Sequence, residues 1–383
     1  MTQTSVLPPL SLYIHVPWCV RKCPYCDFNS HAQQGNLPEQ AYIQALLDDL
    51  ALEKEATYNR PIQSIFIGGG TPSLLSAKSF EQLLNGINQQ LNLASDIEIT
   101  LEANPGTAEQ QKFADYFKLG INRLSIGIQS FHSKQLQALG RIHSAKEAIK
   151  AAEMAHRAGF TRLNLDLMHG LPDQTPQQAM TDLKQAIALQ PDHLSWYQLT
   201  IEPNTAYWSH PPTLPEDEDL WQIQEQGQAL LAEQGFHQYE VSAYATSPQA
   251  RAKHNLNYWT FGDFIGIGAG AHGKITQPDK TIYRNWKTRT PKDYLNLDKT
   301  FQAGKRLLIN DELPFEFMMN ALRLKEGVPT ISFNEHTFLN LADIMQVCQR
   351  AQQAGLLANM DERILATPKG FLFLNNLLEY FLD

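Results

Sequence analysis

The chain has 383 residues, enough to bury a large core, and this length predicts one large α/β domain with a smaller attachment rather than several equal domains. Its 31 basic and 40 acidic residues give a formal net charge of −9, which disfavours non-specific affinity for nucleic acid or for an anionic membrane surface. No segment approaches the run of about 18 apolar residues that a spanning helix needs, and the N-terminus has no basic flank before an apolar run. We therefore expect a cytoplasmic protein without a membrane span, and leave peripheral membrane association open.

Strand-like runs alternate regularly with helical patterns from residue 11 to about residue 200. Helix starts are marked by capping boxes at Ser144 with Glu147 and at Thr175 with Gln178. The predicted strands are 11–16, 62–67, 97–102, 123–129, 161–168 and 193–199. This alternation predicts a parallel sheet covered by helices, and six successive units predict an incomplete (β/α)6 barrel.

The regular repeat ends at a proline-rich break, residues 209–219. A helix, a strand at 238–245 and a glycine-rich stretch at 261–273 follow it, and from about residue 311 the pattern is helical, with two short strands around a charged turn near the end. We predict a barrel over residues 8–235, an added α/β segment over 236–305, and a small helical, winged-helix-like domain over 311–383.

Three cysteines, Cys19, Cys23 and Cys26, stand in C-x3-C-x2-C spacing on the loop that leaves the first predicted strand. Clustered thiols in a reducing compartment favour metal ligation over a disulfide framework. The fourth cysteine, Cys348, lies in a helical pattern and is expected to be a small buried apolar residue. Phe28 stands where a fourth ligand could have been.

Two interpretations of this cysteine loop remain open. Structural zinc needs four protein ligands, so His15 or His31 would have to complete the site, and the spacing departs from common zinc patterns. That alternative would be a zinc-stabilised, winged-helix interaction protein. The preferred interpretation is a 4Fe–4S cluster held by three thiolates, whose open iron takes a small-molecule ligand.

Polar residues follow the predicted strands at the end where chemistry gathers in a parallel barrel. The "GGGTP" stretch at 68–72 follows the second strand, and its glycine amides are expected to be free to receive a polar headgroup. Glu102, Gln129 and Asp166 offer acceptors for hydroxyl and amino groups, and Arg141 offers a forked donor for a carboxylate. Each alone is as well explained by a cap or a surface role, but the set predicts a ligand-binding rim.

The cysteine spacing, with an aromatic residue before the third cysteine, resembles the radical SAM superfamily. The segments "YIHVPWC", "GGGTPS", "EANP", "GIQSF", "LGR" and "LDLMHGLP" are similar to its oxygen-independent coproporphyrinogen III oxidase (HemN-like) branch over nearly the whole chain. The resemblance implies a partial radical SAM barrel, with a 4Fe–4S cluster on the three cysteines and S-adenosylmethionine on the open iron. Phe28 would then form an apolar wall beside the adenine. The residues implied to contact S-adenosylmethionine are Tyr13, Gly69, Gly70, Thr71, Glu102, Gln129, Arg141 and Asp166.

Within this branch, three features favour its heme chaperones over its enzymes. The enzymes carry a further cysteine where this chain has Phe28, and they have an N-terminal extension, whereas the first strand here begins near residue 11. The segment "HNLNYW", residues 254–259, is similar to an H-N-x-x-Y-W pattern of the chaperones. Residue types alone favour a structural His254, whereas the resemblance implies a heme ligand, with Tyr258 and Trp259 covering the macrocycle.

The sequence therefore predicts a heme chaperone that passes heme to an apo heme-protein acceptor, with no catalytic residue and no nucleic-acid partner. A homodimer is left open. The alternative within the branch is a true radical enzyme that oxidatively decarboxylates the propionates of coproporphyrinogen III.

Overall fold

The protein is described by a computed structural model over residues 7–106 and 111–382. Twelve strands form one sheet: β1 (Leu10–Val16), β2 (Ile62–Gly69), β3 (Leu93–Ala103), β4 (Arg123–Gln129), β5 (Arg162–His169), β6 (His193–Gln198), β7 (His237–Glu240), β8 (Ala243–Ala245), β9 (Asp263–Ile267), β10 (His272–Thr276), β11 (Ile282–Lys287) and β12 (Gln302–Leu307). Their spatial order is β12-β11-β10-β9-β1-β2-β3-β4-β5-β6-β8-β7.

Helices cover and extend this sheet, and both predicted capping boxes are present at the starts of their helices. The α-helices are α1 (Glu39–Glu53), α2 (Ala77–Gln90), α3 (Phe113–Lys118), α4 (Ser133–Ala138), α5 (Ala145–Ala158), α6 (Pro176–Ala188), α7 (Ala206–Ser209), α8 (Asp217–Glu233), α9 (Lys253–Trp259), α10 (Pro291–Tyr294), α11 (Leu313–Ala321), α12 (Ile331–Thr337), α13 (Met345–Gln353), α14 (Pro368–Leu372) and α15 (Leu374–Glu379). Short 3-10 helices cover Lys54–Thr57, Pro72–Leu74, Pro248–Ala250 and Leu341–Ile344. No helix within the described ranges is both long and apolar enough to cross a bilayer.

Strands β1 to β6 pair in parallel in chain order and form the predicted partial barrel. Their two faces differ in chemistry because alternate residues point to opposite sides of a strand. On β2, Ile65 and Ile67 are fully buried in the apolar core. Ser64 lies on the opposite, inner face and shares a hydrogen bond with Ser11, with the two Oγ atoms 2.8 Å apart. The barrel therefore has an apolar outer layer and a largely polar interior.

The added segment contributes to both edges of the sheet. Its glycine-rich stretch, in which no strand was predicted, forms β9 and pairs in parallel with β1 on the side away from β2. A side chain at Gly266 would place its Cβ 2.0 Å from the His272 carbonyl oxygen, so the close pairing with the next strand requires glycine. The strand predicted at 238–245 is instead the hairpin β7–β8, and β8 pairs antiparallel with β6.

The C-terminal domain packs its helices around a second apolar core, in which Cys348 is fully buried as predicted. The two predicted terminal strands are reduced to Arg363–Ile364, which pairs with Val328–Pro329, and to a single bridge between Leu357 and Ala366. Residues 368–379 are helical, so that part of the prediction is wrong. Thr367 caps this helical stretch by accepting a hydrogen bond from the Gly370 amide, and Pro368 occupies its first position.

A buried ion-pair group holds the start of β9. The carboxylate of Asp263 is fully buried and lies 2.7 Å from Arg60 Nη1 and 2.9 Å from Lys274 Nζ. Burial opposes ionisation of Asp263, but the two cations outweigh burial and hold the pKa of this carboxyl below its ordinary value. The group stabilises the fold only while all of its charges are compensated.

We expect Asp263→Asn to lower the free energy of unfolding by about 3–5 kcal/mol, because it leaves the buried Lys274 ammonium without its counter-charge. Chemical denaturation at pH 7 measures this loss. Because the folded-state pKa of Asp263 is depressed, its contribution is present at neutral pH and is lost as the pH falls through that pKa. The matched control is Asp298→Asn at an exposed position, and equal stability of the two variants would contradict the assignment.

Candidate metal and cofactor site

The cysteine loop is a closed structure on top of β1. A short parallel pairing of Trp18–Cys19 with His31–Ala32 joins its two ends, with the His31 amide donating to the Pro17 carbonyl at 2.7 Å. Inside the loop, the Cys26 amide donates to the Cys23 carbonyl at 3.2 Å. These backbone bonds hold the three thiols together at the carboxyl ends of the barrel strands.

One cavity of about 340 Å³ lies between this loop and the barrel. It is lined by the three thiols and by most of the residues that the sequence singled out as cofactor contacts. Those lining residues are Cys19, Cys23, Cys26, Phe28, Gly69, Gly70, Thr71, Glu102, Gln129, Arg141 and Asp166. The structure therefore brings together residues from the cysteine loop and from strands β2 to β5.

The glycines after β2 let the cysteine loop sit directly on the strand end. Gly69 has φ +113°, and a Cβ on Gly70 would lie 2.5 Å from the Trp18 carbonyl oxygen. Their amides are not free for a ligand, which corrects the prediction. The Gly69 amide donates to Glu102 Oε2 at 3.1 Å, the Gly70 amide to the Val16 carbonyl at 2.8 Å, and the Thr71 amide to the Trp18 carbonyl at 2.7 Å.

Two buried carboxyl groups on the barrel strands, Glu102 and Asp166, face the cavity. Burial, with a further contribution from the nearby Asp166, raises the pKa of Glu102 to about 7. Burial also raises the pKa of Asp166, although its oxygens accept hydrogen bonds from Ser125 Oγ at 2.9 Å and Asn164 Nδ2 at 2.8 Å. Such a pair favours a ligand that brings positive charge or several hydrogen-bond donors.

Arg141 connects the thiol loop to the polar wall. Its Nη2 donates to Asn104 Oδ1 at 2.5 Å and to the Gly127 carbonyl at 2.6 Å, while Nη1 lies 3.9 Å from Cys23 Sγ. Asn104 in turn donates from Nδ2 to Thr71 Oγ1 at 2.8 Å. The guanidinium is thus fixed in orientation before any ligand binds.

Gln129 occupies the left-handed region at the end of β4, with φ 71°, and is 6% exposed. Its Oε1 accepts a hydrogen bond from the Tyr197 hydroxyl at 3.0 Å. Non-glycine residues rarely adopt this conformation, and such strain is concentrated at ligand sites.

Several lining residues were not predicted from the sequence: Asn104, Ser125, Ser195, Tyr197, Glu240, Ser242 and Asn255. Asn104 follows Glu102 by two positions, and Ser125 precedes Gln129 by four, so strand alternation would have placed both on the inner face. Glu240, Ser242 and Asn255 come from outside the six-strand repeat and carried no such signal.

Two predicted site residues lie outside this cavity lining. The Tyr13 hydroxyl hydrogen bonds with His15 Nδ1 at 2.9 Å. His254 is the second residue of α9, is 1% exposed, and uses both ring nitrogens in hydrogen bonds, with Ser64 Oγ and the Tyr258 hydroxyl, each at 2.9 Å. Burial lowers the pKa of His254 to about 3. Ligation of heme iron by His254 stays a prediction and requires one of these hydrogen bonds to break.

The two histidines proposed as a fourth zinc ligand differ, because the Nε2 atom of His31 is buried and has no hydrogen-bond partner among the described residues, whereas His15 is fully hydrogen-bonded. His15, one proposed fourth ligand, also uses both ring nitrogens, with Tyr13 and with the Asn29 carbonyl at 2.9 Å. Across residues 7–106 and 111–382, no group of three histidine, cysteine or acidic side chains gathers around a single ion position. A 4Fe–4S cluster is held with its cysteine thiolates on different irons, so it does not require the three thiols to converge on one point.

Comparison with known proteins agrees with this fold. The radical SAM superfamily model matches residues 13–186, and the HemN C-terminal domain model matches residues 308–373. In solved structures, coproporphyrinogen III oxidase HemN from Escherichia coli, a radical SAM enzyme, superposes with a TM-score of 0.82 at 22% identity, over 98% of this chain and 90% of that chain. The fold is that of a radical SAM protein, and the cofactors of that superfamily are a 4Fe–4S cluster and S-adenosylmethionine.

Two relatives show which family within the superfamily the chain belongs to. The heme chaperone HemW of E. coli K12 is 52% identical over 376 residues, which cover 98% of this chain and 99% of that protein. HemW of Haemophilus influenzae is likewise 52% identical over 380 residues, covering 98% of each. The chain belongs to the HemN-like branch of the radical SAM superfamily, in the family that contains these HemW proteins.

We expect the contribution of Glu102 to the stability of the ligand-free protein to fall as the pH rises from about 4.3, the ordinary carboxyl value, towards 7, by up to about 1.4 kcal/mol per pH unit. The sign follows from the raised pKa of Glu102, because over this interval the folded state holds a proton that the unfolded state has released. Chemical denaturation at a series of pH values measures the slope. Glu102→Gln should shift this slope in the positive direction by up to the same amount, and Glu81→Gln, at an exposed position on α2, should leave it unchanged; an unchanged slope in Glu102→Gln would refute the assignment.

Proposed function

We propose that the protein is a heme chaperone that binds heme and transfers it to an apo heme-protein acceptor. We further propose that it carries a 4Fe–4S cluster on Cys19, Cys23 and Cys26, with S-adenosylmethionine on the open iron. The observation that carries the cofactor assignment is the cavity in which three thiols face carboxyl, amide and guanidinium groups. In this superfamily the cluster is an electron source and S-adenosylmethionine is the radical precursor.

The chemistry of the lining supports particular contacts for S-adenosylmethionine. Glu102 and Asp166 would accept from its amino and ribose hydroxyl groups, and the oriented guanidinium of Arg141 would pair with its carboxylate. Phe28 is 61% exposed at the cavity wall, where its ring is available to cover an adenine. Tyr13 keeps its predicted contact only if its hydroxyl turns from His15.

The choice of chaperone over porphyrinogen-oxidising enzyme is supported by two observations. The HemW proteins, named heme chaperones, match this chain over nearly its full length. The barrel cavity of about 340 Å³ is near the lower end of the roughly 300–1,000 Å³ usual for one small-molecule ligand, which leaves little room for a tetrapyrrole beside S-adenosylmethionine. Cytoplasmic location and self-association stay predictions.

We expect each of Cys19→Ala, Cys23→Ala and Cys26→Ala to lose the brown iron–sulfur absorbance after anaerobic reconstitution. The parent protein should retain about four iron atoms per chain, the content of one cubane. Iron analysis and absorbance spectroscopy measure both. The control is Cys348→Ala, which removes a buried thiol from the C-terminal core and should keep the cluster; zinc bound stoichiometrically in a colourless protein would overturn the proposal.

We expect the reconstituted protein to bind heme with a one-to-one endpoint in an absorbance titration. In an anaerobic assay with reductant, S-adenosylmethionine and coproporphyrinogen III, it should form no protoporphyrinogen above a control without S-adenosylmethionine. Abundant protoporphyrinogen would establish the enzyme instead. Slow release of 5′-deoxyadenosine without a porphyrin product would leave the chaperone proposal standing.

A further inference from the structure

The proposed heme has no evident place inside the barrel. The barrel cavity is small and is already required for S-adenosylmethionine, and the imidazole of His254 is enclosed by Ser64 and Tyr258. A macrocycle therefore needs another surface with a flat apolar wall and cationic groups for its two propionates.

A second, larger cavity of about 720 Å³ lies in a groove between the barrel and the C-terminal domain. One wall is formed by α8, from which Trp221, Gln224 and Gln228 face the groove, and the other by residues 365–376 around α14. Its volume falls within the roughly 300–1,000 Å³ typical of cofactor sites.

The groove presents large apolar side chains to solvent. Trp221 is 51% exposed on one wall, and Leu372 and Phe373 are 47% and 49% exposed on the other, beside Phe371. Exposed aromatic groups on facing walls lose water-accessible apolar area when a flat ring system enters between them.

Two cations and no carboxylate line this groove within the described residues. Lys325 Nζ donates to the neutral Gln238 Oε1 at 2.9 Å, lies 5.9 Å from the centroid of the Phe371 ring, and forms no ion pair with a carboxylate among the described residues. Arg323 pairs with Glu240, at 3.2 Å, but its buried Nε has no hydrogen-bond partner. In a chain of net charge −9, this local positive surface suits a dicarboxylate.

The backbone holds the two cations in place. The Val241 amide donates to the Arg323 carbonyl at 3.1 Å, and the Lys325 amide donates to the Tyr239 carbonyl at 3.0 Å. Leu324 forms an antiparallel β-bridge with Glu240. Arg323 and Lys325 flank Leu324 in the sequence, so in this extended segment their side chains point to the same face, which is the groove side.

We propose that this groove binds heme as a planar tetrapyrrole dicarboxylate, with the macrocycle between Trp221 and Phe373 and the propionates at Lys325 and Arg323. This inference rests on the proposed heme-binding function and gives it a location. The lining contains no histidine, cysteine, methionine or tyrosine, so the groove itself offers the iron no side-chain axial ligand. Recognition then depends on the ring and its carboxylates, and the metal stays accessible to an acceptor.

Titration of the full-length reconstituted protein with heme tests this location. We expect Lys325→Glu to weaken heme affinity by about tenfold or more, because it puts a carboxylate beside the propionates. Lys369→Glu is the matched control, since Lys369 lies on α14 but outside the groove lining, and it should bind as the parent does. Metal-free protoporphyrin IX should bind within a few-fold of heme, and its dimethyl ester more weakly.

The outcomes separate this inference from the proposed function. Absence of heme binding in the parent protein would defeat both. Parent-like heme affinity in Lys325→Glu, or failure of metal-free protoporphyrin IX to bind, would reject the groove and leave heme binding intact. If the groove is rejected in this way, a folded His254→Gln variant, checked by circular dichroism, should lose heme affinity. The groove assignment instead requires this variant to bind heme as the parent protein does.

Discussion

The candidate site depends on one close approach of backbone to backbone. The end of β2 lies against the start of the cysteine loop because Gly70 has no side chain to separate it from Trp18. Any Cβ there would lift the loop from the strand and move the thiols away from Glu102, Gln129 and Asp166. The geometry of the cavity therefore depends on the absence of a side chain at Gly70. The hydrogen bonds of the Gly69, Gly70 and Thr71 amides stabilise this geometry.

Charge within the barrel follows from the same arrangement. The inner face carries carboxyl, amide and hydroxyl groups because the outer face alone is packed against helices, so the interior is free to be polar. Burial then raises the pKa of Glu102, and hydrogen bonds to Asn104 and to the Gly127 carbonyl hold Arg141 in place. Burying these polar and charged side chains without a ligand costs free energy, and a ligand with complementary groups removes that cost. Preorganised sites gain selectivity in this way.

Much of this could be predicted from the sequence, and the limits have physical causes. The strands β1 to β6 were predicted correctly because parallel strands give long apolar runs and the capping boxes mark the helices between them. Strands β9 to β12 were missed: the glycines of β9 resemble a turn, although Gly266 serves a tight strand pairing, and the stretch that holds β11 and β12 is polar. Glu240 and Asn255 could not be predicted, since they reach the cavity through tertiary packing. His254 was recognised by its motif, but no sequence feature indicates that Ser64 and Tyr258 occupy its ring nitrogens.

Glu240 belongs to the surroundings of two cavities. It lines the barrel cavity, and its carboxylate also pairs with Arg323, which lines the groove beside the C-terminal domain. A molecule in the barrel that engages this carboxylate would weaken its hold on the arginine, while an anion in the groove would draw the arginine away from it. Thermodynamic linkage makes that influence mutual, so occupancy of either compartment changes the affinity of the other by the same factor.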